Sequence, residues 1–409
     1  MKKLIVVGGG AAGYFAAINA AELNTELEVV ILEGSNKVLQ KVKVSGGGRC
    51  NLTNACFTPK ELIEFYPRGK KELLGPFHKF MTGDTMEWFE NRGVPLKIED
   101  DNRVFPDSNS SQTIVDCFLE SAKNAGVVLK TSTRVDSIKK NEDRFIVKTN
   151  LEEFYADYVL IAAGSNGKVW KMAEDLGHKV VPPVPSLFTF NIKDERLKDI
   201  PGISVPKASV KIINSKLKEQ GPLLITHWGL SGPGILKLSA WGALELFKKE
   251  YQFEIEVNWF SKKYEFVVEL LKSEKKKNSK KQVMLRSVFE EIPKRLWFKL
   301  VAASEISETA QWAQLSNIQL DNLANQLTRC RFKVTGKSTF KDEFVTAGGV
   351  DLKEINFKRF ESKLHKNLFF AGEVLNIDAI TGGFNFQNAW TGGWIVANSI
   401  PLAPKEEIN

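Results

Sequence analysis

The run Leu4 to Val7 followed by Gly8-x-Gly10-x-x-Gly13 constrains this chain more than any other feature. A short apolar stretch ends at three consecutive glycines, an Ala-rich helical stretch continues to Glu22, and a second apolar run covers Leu27 to Leu32. The order reads strand, tight turn, helix, strand. In that context each glycine has a physical role: Gly8 permits the turn, Gly10 lets the backbone approach a pyrophosphate, and Gly13 lets helix and strand pack closely. The first helical turn, Ala11, Ala12 and Gly13, then offers N–H groups at the positive end of the helix dipole, which suits phosphate. Glu33 ends the second strand about 20 residues after the turn, where a carboxylate accepts hydrogen bonds from a ribose. The bland alternative is an ordinary acidic strand end. A dinucleotide is expected.

With 409 residues the chain exceeds one hydrophobic core, so two or three domains are expected. Its 43% hydrophobic and 26% charged residues describe a globular protein, not a disordered or fibrous one. The net charge of +8 and pI near 9.0 suit an anionic cofactor, an anionic substrate or a nucleic acid without choosing among them. Much of the excess lies in Lys272 to Lys281, read as a solvated connection between two helices. Cys50, Cys56, Cys117 and Cys330 form neither a Cys-x-x-Cys pair nor a dense disulfide pattern, so a reducing cytoplasm is expected. The start imitates a signal peptide, but its glycines interrupt the apolar stretch. No uninterrupted run of about 18 apolar residues predicts a membrane span.

Helical spacing over Gln112 to Ala125, capped by Gly126, leads to a strand at Val127 to Leu129 and continues the βαβ theme. Arg144 to Thr149 and Glu153 to Tyr155 read as antiparallel strands before a buried strand, Tyr158 to Ala162, ends at Ala163-Gly164. Pro182, Pro183 and Pro185 mark a connection. Beyond it, Leu187 to Ile192, Ala208 to Ile213, Leu223 to Thr226 and Phe253 to Trp259 read as strands. Phe266 to Lys272, Val283 to Glu291 and Leu315 to Leu327 read as helical, and Arg331 to Thr335 as a strand leading back. The expected architecture is α/β: a discontinuous Rossmann-type domain, residues 1–186 and 341–409, with an inserted domain at 187–340. The insertion divides into a β-rich, barrel-like part, about 187–260 and 330–340, and a helical part, about 261–329.

Five further blocks carry a specific resemblance. Val44-Ser45-Gly46-Gly47-Gly48-Arg49-Cys50-Asn51-Leu52-Thr53-Asn54 resembles the signature of the BaiN-like, or YhiN-like, family of NAD(P)/FAD-dependent oxidoreductases, also known as aminoacetone oxidase family FAD-binding enzymes. Arg103-Val104-Phe105-Pro106, the run Thr226 to Pro233, Phe370 to Leu375 and Gly382 to Gln387 are similar to the same family. The resemblance implies a two-dinucleotide-type FAD fold whose N-terminal unit binds the ADP half. Gly372 and Glu373 would hold the ribityl and pyrophosphate region. Gly382-Gly383 would precede a helix at Asn385 to Ala397, with the backbone N–H groups of Gly383, Phe384 and Asn385 facing the flavin's pyrimidine edge. Ser45 to Asn51 would lie against the ring, with Val135 and Ala163-Gly164 near the adenine and ADP. At that last turn the chain has Ala162-Ala163-Gly164-Ser165 where the family more often has a Thr and a second Gly, which leaves a backbone role.

Arg49 is equally a donor beside the flavin or a loop fastener, and Cys50, without a redox partner, reads more readily as a small packed side chain than as a nucleophile. His227 is a candidate acid, base or substrate ligand, with loop fastening as the alternative. His78, His178 and His365 show no metal-ligand spacing, so no metal is expected. The resemblance implies hydride transfer between flavin N5 and a small organic substrate, with the inserted domain covering or selecting it and NAD(P)H or oxygen as redox partner. No second Gly-x-Gly-x-x-Gly unit supports a separate nicotinamide domain. The family's members are associated with bile-acid reduction and aminoacetone oxidation, between which nothing in the sequence chooses. An RNA-modifying flavoprotein and a flavin-containing binding or regulatory protein are the alternatives, nucleic acid being the less expected partner. Oligomeric state is left open.

Overall fold

The computed structural model describes residues 1–338 and 345–401. They form two compact units: Met1–Val184 with residues 345–401, and residues 185–338. The chain leaves the first unit two residues before the expected boundary; the expected return at 340 and 341, and residues 402–409, lie outside the described residues.

In the first unit, strands β1 (Lys2–Val7), β2 (Leu27–Leu32), β3 (Val128–Lys130), β4 (Tyr158–Ile161) and β5 (Leu368–Phe370) pair in parallel in the order β3-β2-β1-β4-β5. This is the Rossmann order, with the crevice for a dinucleotide at the carboxyl ends beside β1. Leu4 to Val7 and Tyr158 to Ile161 are buried throughout, which is why both read as unbroken apolar runs and not as alternating ones. Glu361–Ser362 and Ile355–Asn356 extend the sheet antiparallel beyond β5. Between β3 and β4 the chain makes a three-stranded meander, Val135–Asn141, Arg144–Thr149 and Glu153–Ala156.

Helix α1 (Ala11–Leu23) joins β1 to β2, and α2 (Phe384–Ser399) packs on it. Their approach is set by small residues. A Cβ built on Gly393 would lie 3.0 Å from Ala12 O and 3.1 Å from Ala16 N, and one on Gly13 only 2.1 Å from Gly8 O. Large rings fill the space behind: Phe15 meets Trp88 at 4.6 Å and Trp390 at 5.4 Å between centroids, and Trp88 Nε1 donates to Asn19 Oδ1 (3.1 Å).

The second unit is an antiparallel sheet with helices. Its strand order runs Cys330–Val334, Phe253–Asn258, Ser204–Ile212, Lys218–Thr226, Gly229–Ser231, Thr189–Asn191, Gly336–Ser338. The first and last of these are halves of one continuous stretch bent at Thr335, whose N–H donates to Asn191 O (3.0 Å), so the sheet closes on itself as a barrel. Helices Tyr264–Lys277, Lys294–Ala302 and Asn317–Thr328 form the helical part, the last opened by a Ser316–Gln319 capping box.

Two helical expectations need correction. Val283 to Glu291 has apolar residues at helical spacing, yet only Val283–Leu285 forms a 3₁₀ turn. Ser287 Oγ takes the Phe289 N–H (3.1 Å) and donates to Phe289 O (2.8 Å), diverting the backbone groups a helix would need. The Lys272 to Lys281 run is not all connection, because the helix continues to Lys277 and only its second half is a turn. Within the β part lies a helix the sequence did not suggest, Pro233–Lys248: its Gly234, Ser239 and Gly242 weaken the helical signal, and Trp241, Leu244 and Phe247 are exposed where an amphipathic pattern would be polar.

Gly13→Ala tests the spacing of β1 and α1. Relieving a 2.1 Å approach requires backbone movement, and the expected loss is about 1–3 kcal/mol of stability in thermal or denaturant unfolding, as for other overpacked sites. An unchanged midpoint would mean that the close approach does not constrain the fold.

Candidate functional site

The crevice is built where β1, β2 and β4 end. A Cβ on Gly8 would lie 2.6 Å from Ala163 Cα, so the turns after β1 and β4 touch through bare backbone. No side chain caps α1 at Gly10, which leaves the N–H groups of Ala11, Ala12 and Gly13 directed out of the helix end. Glu33 accepts from Gly9 N through one carboxylate oxygen and from Ser35 N through the other, both at 2.8 Å, which fixes it at the end of β2 with lone pairs remaining. Thr133 N donates to Glu33 O (2.8 Å), and Arg134 packs on Gly34. Val135, next along the chain, is thereby held near Glu33.

The C-terminal segment enters the same crevice. A Cβ on Gly372 would meet Ala12 Cβ at 3.1 Å, and one on Gly164 would meet Glu373 Oε2 at 3.6 Å. Glu373 is ion-paired with Lys41 (2.5 Å), whose Nζ also reaches Ser165 Oγ (3.2 Å). Lys41 follows Leu39, whose N–H donates to Gly9 O (2.9 Å), so the segment leading to the glycine-rich loop starts from the first turn.

That loop leaves a short helix at Ser45. Gly46, Gly47, Gly48 and Cys50 all have positive φ, a backbone path only glycine follows cheaply over three consecutive residues. The strand Arg103–Pro106 supports it: Thr53 pairs with Val104, and the Phe105 ring lies 3.0 Å from a Cβ built on Gly46. Gly383, the N-cap of α2, presses on the Thr53 carbonyl, which a Cβ would approach to 2.4 Å. Oriented to satisfy both ends, the Asn51 amide accepts from Gly383 N (3.0 Å) and donates to Thr53 O (3.1 Å). Asn54 Nδ2 donates to Gly382 O (3.2 Å), Thr53 Oγ1 to Gln387 Oε1 (2.6 Å) and Trp390 Nε1 to Leu52 O (2.9 Å). The Ser45–Asn54, Arg103–Pro106 and Gly382–Gln387 blocks are thus one bonded cluster.

Four candidates have mainly structural surroundings. Arg49 is ion-paired with Glu99 (2.6 Å) and stacked on Phe105 at 4.0 Å. The Asn385 amide holds both the N–H and the C=O of Ala379 (3.0 and 3.1 Å), and Phe384 is buried with its carbonyl bonded by Tyr66 OH (2.6 Å). Cys50 is buried, and burial pushes its thiol up to about 12, so it carries no thiolate at neutral pH.

His227 belongs to the second unit, exposed at a hairpin tip. Its block is built for packing: a Cβ on Gly229 would lie 2.2 Å from Phe190 O, and Trp228 Nε1 bonds Thr189 Oγ1 (3.0 Å). His178 is held between Glu354 (2.9 Å) and Ser362 (3.0 Å), and burial keeps its pKa below the ordinary histidine value against the pull of Glu354. His365 bonds Leu176 O, and His78 is exposed. Among the described residues no His, Cys, Asp and Glu side chains converge as a metal site. Lys41 and Glu99 take part in these contacts and lie outside every block read in the sequence.

The crevice fits FAD. A Cβ on Gly10 would meet nothing nearer than Ala162 O at 4.0 Å, and those on Gly47 and Gly48 would meet no atom within 4 Å, so the backbone is bare where phosphate and a planar ring need close approach. Beside it a cleft of about 560 Å³ is lined by Asn54 to Thr58, Glu61, Glu64, Phe65 and Asn102.

Sheet order, paired glycine turns and the returning C-terminal helix define an FAD-dependent oxidoreductase of the Rossmann type. The chain belongs to the HI0933-like protein Rossmann domain family, whose model matches residues 2–399, and the BaiN-like resemblance read from the five blocks holds across it. It is 28% identical to the ribosomal RNA dihydrouridine synthase of Haemophilus influenzae over 97% of this chain and 98% of that one. It is 25% identical to the 3-dehydro-bile acid delta(4,6)-reductase of Clostridium scindens over 99% and 100%. The ribosomal RNA dihydrouridine synthase of Escherichia coli matches at 27% over 98% of each. In fold it is similar to the 3-ketosteroid-delta4-(5alpha)-dehydrogenase of Rhodococcus jostii RHA1, with a TM-score of 0.51 and 14% identity over 97% and 96% of the two chains. No described helix is long and apolar enough to cross a membrane.

Lys41 neutralises Glu373 beside the crevice, and an isolated carboxylate there would repel a pyrophosphate. Lys41→Met is expected to weaken FAD binding about three- to tenfold, a range suited to a half-exposed cation. Glu373→Gln added to it should recover affinity; equal affinity in all variants would refute the charge role. For Cys50, iodoacetamide at mildly alkaline pH should leave it intact while modifying the less buried Cys56, since thiolate forms only as the pH nears 12. Rapid alkylation of Cys50 in the folded protein would contradict this.

Proposed function

We propose that the protein reduces a ring carbon–carbon double bond conjugated to a carbonyl group, with NAD(P)H as electron donor. One observation carries the reading: the curated relatives matched over nearly their whole length are named for saturating such a bond, in the uracil ring of RNA and in a 3-keto steroid ring. An oxidase is less favoured because both names describe reduction.

FAD, when bound, supplies the hydride chemistry. The first-turn N–H groups of α1 and the bare backbone at Gly10 would hold the pyrophosphate, and Glu33 would accept from the ribose. Lys41 compensates the Glu373 charge. The N-terminus of α2, with Asn51 fixing Gly383 in place, would favour negative charge on the flavin. Arg49, tied to Glu99 and Phe105, keeps the glycine-rich loop in shape, and the cleft beyond Asn54 admits a small organic ring.

A second form of the reading, in which the ring is a uridine of structured RNA, is favoured by the two relatives named for ribosomal RNA. The test is anaerobic turnover with NADH or NADPH and either a 3-keto-4-ene steroid or unmodified ribosomal RNA, read by mass spectrometry as the gain of two hydrogens. Gain on the steroid alone supports the small-molecule form and gain on RNA the nucleic-acid form. If both acceptors stay unreduced while dithionite-reduced flavin is present, the proposal fails.

A further inference from the structure

The charge of this protein is segregated. Residues 185–340 carry 26 lysines and arginines against 16 acidic residues, whereas the rest of the chain has 31 against 33. The net positive charge therefore belongs to the inserted unit alone. Within it the surplus gathers at one corner, where helix Tyr264–Lys277 ends and the chain turns through Lys281.

Lys272 is paired with Glu269, and Lys275 donates to Leu315 O (2.5 Å). Lys276, Lys277, Lys280 and Lys281 are exposed and, among the described residues, form no ion pair. Glu274 is the run's sole acidic residue, and its carboxylate faces Asn278. The segment packed against the corner brings no counter-charge: Ala313 N bonds Ser279 O (2.9 Å), Trp312 N bonds Lys281 O (3.0 Å), and Thr309 to Leu320 contains no Asp or Glu. Lysines near a helix C-terminus are favoured by the helix dipole, but that accounts for one or two in the last turn and not for Lys280 and Lys281 beyond it.

From Lys275 to Gln282 the corner has no apolar side chain, so it offers cations and amide donors but nothing to insert into a lipid surface. Unpaired lysines spaced along a turn suit a row of phosphates. We propose that this corner holds the phosphate backbone of structured RNA. The proposal deepens the nucleic-acid form of the function above and rests on it for the choice of polyanion.

The test uses the FAD-loaded full-length protein and a fluorescent ribosomal RNA hairpin, with binding followed by anisotropy over a salt series. The variant K276A/K277A/K280A/K281A is expected to bind at least about tenfold more weakly, with the slope of log affinity against log salt reduced by roughly 0.7–0.9 for each phosphate no longer neutralised. Replacing the same four lysines by arginine should retain binding, and K139A/K148A in the first unit should leave it unchanged. An unaltered flavin spectrum and thermal midpoint show that the alanine variant is folded; if it is not, the arginine variant set against single alanine changes decides. Equal affinity and slope in wild type and the alanine variant overturn the proposal, as does binding to phosphatidylglycerol vesicles but not to RNA. Reduction of a small enone tests the reaction separately: a wild type that reduces it without binding RNA refutes the docking surface alone, and lysine-dependent RNA binding without reduction refutes the reaction alone.

Discussion

The site depends on how closely α2 lies against α1. Gly393 of α2 lies over Ala12 and Ala16 of α1, where a larger side chain would push the helices apart, and Gly372, in the turn ahead of α2, meets Ala12 as closely. The helices start 373 residues apart in the chain (384 − 11), so their packing carries the long-range cost of closing the first unit around the insertion. What offsets it is a shared apolar core, with Trp390 set among Phe15, Phe89 and Phe118. With α2 fixed there, Gly383 meets Thr53 and the second half of the crevice takes shape.

The crevice has two halves of different construction. The first is made by turns: Gly8 against Ala163 and the uncapped end of α1 present backbone donors with little side chain in the way. The second is made by hydrogen bonds between distant segments, in which Asn51, Asn54, Thr53 and Gln387 tie the glycine-rich loop to α2. Preorganisation follows from this division, because the bonds that shape the second half are internal and survive whatever enters. Lys41 and Glu373 join the halves at the surface rim.

The first half was legible in the sequence because its logic is local: a strand, a glycine turn, a helix and an acidic strand end within about thirty residues. The second half was legible only through resemblance, since Gly383 and Thr53 share no local pattern. Lys41 escaped notice because an exposed lysine is ordinary until its partner, Glu373, is brought beside it by the fold. Asn385 and Arg49 stand inside the cofactor blocks in sequence, but their polar groups are directed to Ala379 and Glu99. In the insertion, Val283 to Glu291 misled because its apolar spacing serves irregular packing, and Pro233–Lys248 was missed because its outer face is apolar.

We propose that the α1 turn, the glycine-rich loop and the start of α2 together hold one FAD. Amide hydrogen exchange of the apoprotein, measured with and without added FAD, tests it directly. FAD is expected to slow exchange at Gly10 to Gly13, at Gly46 to Gly48 and at Gly383 to Phe384 together, whereas riboflavin, which lacks both phosphates and the adenosine, should leave Gly10 to Gly13 unprotected. Protection confined to other segments, or none at saturating FAD, would contradict it.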